Sequence, residues 1–269
     1  MLVTHLYVHP LKSAASLPLG ALDIQARGPA HDRRWMVVDD SGKFVTGRTR
    51  PQMVLLRARP VPGGLQLEAP GKPPLHVAEP DAGAMHREVE VWGDRVRAPV
   101  AGPEASSWLS DFLGQPVDLV HMDADAVRPV NAKYGKPGDE VSFADGFPLL
   151  LLSARAVHDL GERIGRHMAI TRFRPNIVVG NLKAHAEDRW RRLRIAGIEF
   201  EVAQPCTRCA FTTVDPLTGR RDADGEPLRT LSTYRRSAKG VDFGVLLIAR
   251  GRGRVQLGDP VEVIEADPA

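Results

Sequence analysis

Arg34-Trp-Met-Val-Val38, Asp39-Asp-Ser-Gly42 and Lys43-Phe-Val-Thr46 place four turn formers between two β-prone runs. Aspartate and serine bond their own backbone, and glycine takes conformations other residues avoid, so the stretch reads as a hairpin. Upstream, Leu2-Val-Thr-His-Leu-Tyr-Val8 alternates apolar with polar or amphipathic side chains, the period of a half-buried strand. Downstream, Leu65-Gln-Leu-Glu68 and Glu88-Val-Glu-Val-Trp92 alternate again. Pro60, Pro62, Gly63, Gly64, Pro70, Gly71, Pro73 and Pro74 punctuate the region. Residues 1 to about 100 therefore read as a small barrel or sandwich.

The period changes at Pro103-Glu-Ala-Ser-Ser-Trp-Leu-Ser-Asp-Phe-Leu113. Trp108, Leu109, Phe112 and Leu113 fall at helical spacing, and Gly114 is placed to end the helix. This helix marks the expected boundary between an N-terminal region, 1–115, and a second region, 116–269. Residues 120–146 are polar and carry Pro129, Gly135, Pro137 and Gly138, the pattern of a long connecting loop. Leu149-Leu-Leu-Leu152 reads as a buried strand running into a helix capped by Ser153, with Val157, Leu160 and Ile164 on one face. Free amides at such a helix start attract anions, and an ordinary cap has the same pattern. Beyond it, Asn176–Val179, Leu193–Ile195, Ile198–Val202, Ala210–Val214, Val245–Ile248 and Val261–Ile264 return to β, with a turn at Gly258-Asp-Pro260. The chain is expected to be mostly β with a few helices, an α+β protein.

Composition narrows the function classes. At about 150 residues per domain, 269 residues make one large domain or two small ones. Hydrophobic residues at 43% and charged residues at 26% exclude wholesale disorder. The longest apolar run, Phe147-Pro-Leu-Leu-Leu-Leu152, falls far short of the ~18–20 residues of a membrane helix. Met1–Val8 has neither a basic leader nor a cleavage site, so a cytoplasmic location is expected, with no membrane partner. Net charge is +3, and of 36 basic residues seven are lysine and 29 arginine. They are scattered, with small clusters at Arg189–Arg194 and Arg250–Arg254 and no basic helix or aromatic-interleaved strip, so nucleic acid is not the expected partner.

Pro205-Cys206-Thr207-Arg208-Cys209 holds both cysteines of the chain. Two cysteines exclude a disulfide scaffold and a four-cysteine zinc site. A thioredoxin-type pair belongs where a strand enters a helix, and here a strand-like segment follows. Half a zinc site lacks a histidine pair at the right spacing. A single thiolate on a soft transition metal remains, as does a pair of small core residues. About thirty residues upstream, Arg172-Phe-Arg-Pro-Asn176 sets two arginines before a proline that enforces extended backbone. That suits an anionic ligand, and surface arginines would look the same.

These segments together resemble the MOSC family, the molybdenum-cofactor sulfurase C-terminal domain, in its two-part form with an N-terminal β-barrel domain ahead of a MOSC β-barrel domain. The resemblance spans nearly the whole chain. It rests on Tyr7-Val-His-Pro-Leu-Lys-Ser13, Asp32-Arg-Arg-Trp35 with Val45-Thr46, Val91-Trp-Gly-Asp94, and Asp145-Gly-Phe-Pro148 with Leu152-Ser153. Arg172-Phe-Arg-Pro-Asn176 and Pro205–Cys209 followed by Thr212-Thr-Val-Asp-Pro216 complete it. Any one of these is weak; six in the right order are specific.

The resemblance implies a molybdenum ion held by a pyranopterin dithiolene and by one protein cysteine. By motif match that ligand is Cys209, with Cys206 a neighbour. Lys12, Ser13, Arg33, Ser153, Arg174, Asn176, Thr207 and Arg208 match the positions that cradle the pterin and its phosphate. Asp215 follows the cysteine strand and is expected to face substrate, as proton donor or orienting group, alongside Cys209. The implied activity is a molybdenum-cofactor-dependent oxidoreductase that reduces small N-hydroxylated substrates. The chain ends at Ala269 without cysteines for an iron–sulfur cluster, so a separate donor such as a ferredoxin and its reductase is expected. The alternatives are a sulfurtransferase or cofactor carrier bearing a persulfide on Cys209, and a non-catalytic anion-binding β domain.

Overall fold

A computed structural model describes residues 1–268. It is built mostly from strands, with three α-helices: α1 (Pro103–Leu113), α2 (Ala154–Ile164) and α3 (Leu228–Tyr234). Among the described residues, no helix is long and apolar enough to cross a membrane.

The largest sheet runs in the order Val261–Ala266, Trp190–Ile195, Ile198–Arg208, Gly240–Ala249, Leu149–Ser153, Ile177–Gly180, Leu2–Val8, Leu17–Leu19, with Arg236–Ser237 added against Gly240–Ala249. All described pairs in it are antiparallel except Leu149–Ser153 beside Ile177–Gly180, which α2 connects as a crossover. Those two central strands are continuous apolar runs because both faces are covered. The first two strands of the chain, Leu2–Val8 and Leu17–Leu19, thus lie in a sheet made otherwise from the second half. Val3, Leu6 and Val8 share a core with Leu149, Leu151, Ile177 and Leu247. Leu2–Val8 alternates only partly, with a register shift between Val3 and His5, because it is flanked on both sides.

The rest of the first half forms small sheets. Arg57–Val61, Gly64–Glu68 and Leu75–Ala78 make a meander, and His86–Val91 pairs with Asp94–Pro99. Trp35–Val38 pairs with Asp118–His121, and the expected hairpin survives as a bridge from Val38 to Phe44 and a bond from Val45 N to Val37 O at 2.8 Å. Helix α1 ends as expected, at Gly114 with φ 69°, a conformation cheap only for glycine. Between residues 122 and 148 the chain is irregular, as its composition predicts.

One segment departs from expectation. Ala210–Thr213 is a single 3-10 turn and not a strand. The hydroxyls of Thr212 and Thr213 bond the carbonyls of Cys209 and Ala210, at 3.0 and 2.7 Å, and this local bonding replaces a ladder.

Candidate active site

A cavity of about 430 Å³ opens between the two halves of the chain. Lys12, Ser13, Arg33, Arg174, Asn176, Thr207, Arg208 and Cys209 all line it. They come from four separate stretches of sequence. Ser153 and Asp215 are not in the wall.

The backbone at the cavity is unusual. Ser13, Arg33, Trp92 and Arg174 all line it, and all have positive φ, between 49° and 65°. For residues with a Cβ this left-handed region costs on the order of 1–3 kcal/mol each and persists only where surrounding structure enforces it. The enforcement is visible. Arg33 N donates to His9 O and Lys12 N to Trp35 O, both at 2.8 Å, locking the two loops together. Arg33 Nη1 is ion-paired with Asp32 and lies 3.2 Å from Asn176 Oδ1, and its Nη2 donates to Arg174 O at 3.4 Å. Asp32 also accepts from His9 N at 2.8 Å and from His9 Nδ1 at 3.3 Å. Burial alone would raise the Asp32 carboxyl, but the Arg33 guanidinium and the His9 bonds outweigh it and draw it down to about 2. Burial, then the Arg33 and Arg174 cations, push His9 well below its usual value, so the imidazole stays neutral.

The cationic wall is poorly satisfied. Arg174 donates through Nη1 to Ala14 O, while its Nη2 is buried without a partner among the described residues. Burial and the nearby Arg33 guanidinium pull it down to about 9. Arg208 donates through Nε to Phe243 O at 2.7 Å and through Nη1 to Phe173 O at 2.9 Å, and its Nη2 is again buried and unpartnered. A cationic donor left bare in a low-dielectric pocket is costly, and an anion relieves both the desolvation and the repulsion. Lys12 Nζ is better served: it donates to Phe143 O at 2.7 Å and Asp145 Oδ1 at 2.6 Å. Burial still lowers it to about 8.

Cys209 sits one residue past the end of strand Ile198–Arg208, exposed, leading into the 3-10 turn. Cys206 also lines the cavity, but within the strand and half-buried, and burial pushes its thiol up. Thr207 lies between them and donates to Asp242 Oδ1 at 2.7 Å.

Three expected residues do other work. Asn176 is buried, accepts from Leu150 N at 3.1 Å and donates to Tyr7 O at 3.2 Å, so most of its amide ties the wall together. Ser153 is buried, and its hydroxyl accepts from Ala156 N as the cap of α2. Asp215 accepts from Leu217 N and Thr218 N at 2.9 and 3.0 Å and pairs with Arg172 at 2.6 Å. Burial would raise it, but those amides and Arg172 hold it low, ionised and with no proton to give.

The planar groups of the mouth are not among the candidate site residues, although Trp92 belongs to Val91-Trp-Gly-Asp94, one of the segments that carry the resemblance. Trp92 is half exposed, donates from Nε1 to Asp145 Oδ1 at 3.0 Å and lies 5.3 Å from the Phe44 ring. The Arg48 guanidinium stacks on it at 4.1 Å. Phe211 packs against Gly47, where a Cβ would stand 2.2 Å from the ring. Trp-Gly in the turn of a hairpin, with no apolar partner in register, is the one hint that could have found this lip.

Residues 1–116 match the MOSC N-terminal beta barrel domain and residues 138–262 match the MOSC domain. Mitochondrial amidoxime-reducing component 1 of Danio rerio is 33% identical over 273 residues, covering 96% of this chain and 83% of that protein. The Homo sapiens component 1 is 32% identical over 281 residues, with 97% and 82% covered. Component 2 of Homo sapiens is 30% identical over 277 residues, with 96% and 82% covered.

Proposed function

The chain belongs to the MOSC family, in the two-part form with an N-terminal β-barrel domain, and from that premise we propose that it is a molybdenum-cofactor-dependent reductase of N-hydroxylated compounds. Its net chemistry is R–NHOH plus two electrons and two protons giving R–NH₂ and water, the electrons coming from a separate protein. Relatives at 30–33% identity over most of the chain are named for amidoxime reduction, which supports this substrate class.

One observation carries the cofactor assignment: the buried, unpartnered Nη2 atoms of Arg174 and Arg208 belong to the wall that also holds Cys209. Two bare cationic donors and a soft donor in one cavity fit a phosphate-bearing chelate of a soft metal. When bound, a molybdenum–pyranopterin supplies two-electron chemistry with oxygen transfer. The chain's own residues divide the remaining work. Cys209 Sγ would be the metal ligand, because it is exposed at the cavity wall just past the strand end, whereas Cys206 is half-buried within the strand. Arg174, Arg208 and Lys12 neutralise the phosphate. Ser13, Arg33 and Thr207 hold the pterin edge, with Asn176 fixing Arg33 in place. Asp215 positions Arg172 at the wall and moves no proton. Ser153 caps α2 and takes no part in holding the group.

Metal and pterin analysis of protein from a host that makes the cofactor tests the reading. About one molybdenum per chain, lost in Cys209→Ser, is expected, with reduction of a hydroxylamine by a dye donor. Metal-free protein bearing a persulfide on Cys209 would replace it with the sulfur-carrier reading.

A further inference from the structure

The basic cluster visible in the sequence, Arg189–Arg194, is largely neutralised in the fold. Arg191 pairs with Asp267, Arg192 with Glu199, and Arg194 with Glu199 and Glu262. The lip of the cavity is different. Lys133 and Lys239 flank the Tyr134 ring at 5.4 and 5.5 Å, and Lys239 Nζ donates to Tyr134 Oη at 3.0 Å and to Gln204 Oε1 at 3.1 Å. Gln204 lines the cavity, and so does Phe147, whose ring meets Tyr134 edge-on at 5.6 Å. Lys133, Arg236 and Lys239 are exposed, and among the described residues none has a carboxylate within ion-pair distance. On the facing lip, Arg221 donates to Ala210 O at 3.4 Å, beside Cys209, and to Arg48 O. It too has no carboxylate partner among the described residues. Asp145 in the wall is held by Lys12, and Asp215 behind it by Arg172; among the described residues the Asp242 side chain bonds only Thr207.

We infer that this lip of unpaired cations, Lys133, Arg236 and Lys239 on one side and Arg221 on the other, is the docking surface for an acidic one-electron donor protein. The inference rests on the reductase reading above, which takes its electrons from a separate protein. Complementary charge concentrates and orients an acidic partner at the cavity mouth without demanding a large apolar interface. Each turnover consumes two encounters. Two reduced donors each give one electron, R–NHOH takes both electrons and two protons, and R–NH₂, water and two oxidised donors leave.

The test uses the full chain loaded with cofactor and an acidic plant-type [2Fe–2S] ferredoxin as probe. Binding is measured at low and at moderate salt for the wild type, for Lys133→Glu/Arg236→Glu/Lys239→Glu, and for Arg252→Glu, an exposed arginine before strand Gly253–Gln256. The triple variant is expected to bind at least about ten-fold more weakly at low salt and to lose most of its salt dependence, as a screened charge–charge contact requires. Arg252→Glu is expected to bind like the wild type. Reduction driven by a small viologen dye is expected to be equal in all three. Equal ferredoxin binding by the triple variant, or equal weakening by Arg252→Glu, overturns the inference. So does a single-stranded oligonucleotide that binds the lip more tightly than ferredoxin does. If the dye drives no reduction in the wild type while the charge-dependent binding persists, the reductase reading fails and the acidic-protein surface stands.

Discussion

Asn176 Oδ1 lies 3.2 Å from Arg33 Nη1, joining the N-terminal half of the cavity wall to the second half across 143 residues of sequence. The same oxygen accepts from Leu150 N, and the amide nitrogen donates to Tyr7 O. One buried side chain therefore sets the register of three segments, and Arg33 in turn is clamped by Asp32 and braces the Arg174 carbonyl.

Asn176→Ala removes all of these at once. Leaving buried donors and acceptors unmet costs about 1–3 kcal/mol each, so a loss of roughly 2–4 kcal/mol is expected after relaxation. Urea unfolding measures it. A loss under about 1 kcal/mol would show that the amide is not the tie described.

The two cysteines separate by environment. Cys209→Ser is expected to abolish metal content and reductase activity, and Cys206→Ser to keep measurable amounts of both, because Cys209 is exposed at the cavity wall and Cys206 lies half-buried within the strand. Molybdenum analysis of the two variants decides, and the reverse pattern would move the ligand to Cys206.

Arg174 carries a charge at a cost to the empty protein. Replacing it with Met removes a buried cation repelled by Arg33, so the cofactor-free variant is expected to melt no lower than cofactor-free wild type. Cofactor retention during gel filtration is expected to fall at least about ten-fold, since one charged hydrogen bond is worth roughly 1.5–3 kcal/mol. Retention equal to wild type would remove Arg174 from the anion site.

Glu187 gives a pH dependence away from the cavity. It is fully buried, accepts from Ser153 N at 2.9 Å through Oε1, and has no partner at Oε2. Burial raises its carboxyl from the ordinary 4.5 to about 7. Between those values the folded chain holds a proton that the unfolded chain has released. Its favourable contribution is therefore complete below about pH 4.5 and is lost as pH rises through 7, by an amount on the order of 2–3 kcal/mol. Stability measured at pH 5 and pH 8 should differ by about that much more in wild type than in Glu187→Gln. Identical slopes would contradict the assignment.

Gly47 is required by close approach to Phe211. Gly47→Ala is expected to cost about 1–3 kcal/mol through overpacking. Most of that loss should vanish in a Phe211→Ala background, and additive effects in this double-mutant cycle would show that the two do not meet.

Local physics explains what could be read early. Helix α1 announces itself by the spacing of Trp108, Leu109, Phe112 and Leu113 and by Gly114, because its period and its stop are properties of neighbouring residues. Ser153 is legible as a cap for the same reason. Helix α3 leaves no legible signature, since its 7 residues are too few to set a period. The β-branched composition of Ala210–Val214 reads as a strand, because composition is silent on where two threonine hydroxyls will bond. Trp92 and Arg48 escaped because their stacking joins loops 44 residues apart.

The residue types of the wall, the strand and helix periods, and the order of the motifs are all written in the chain itself, since each depends on side chains adjacent in sequence. Which of those residues face one another is decided by the nine-stranded sheet, which carries the first strand beside Ile177–Gly180 and so brings Lys12 and Arg33 to Arg174 and Cys209. The same packing turns Ser153 and Asp215 away from the cavity and strips two guanidinium nitrogens of water without giving them partners. Desolvation depends on everything that surrounds an atom, and no linear neighbourhood contains it.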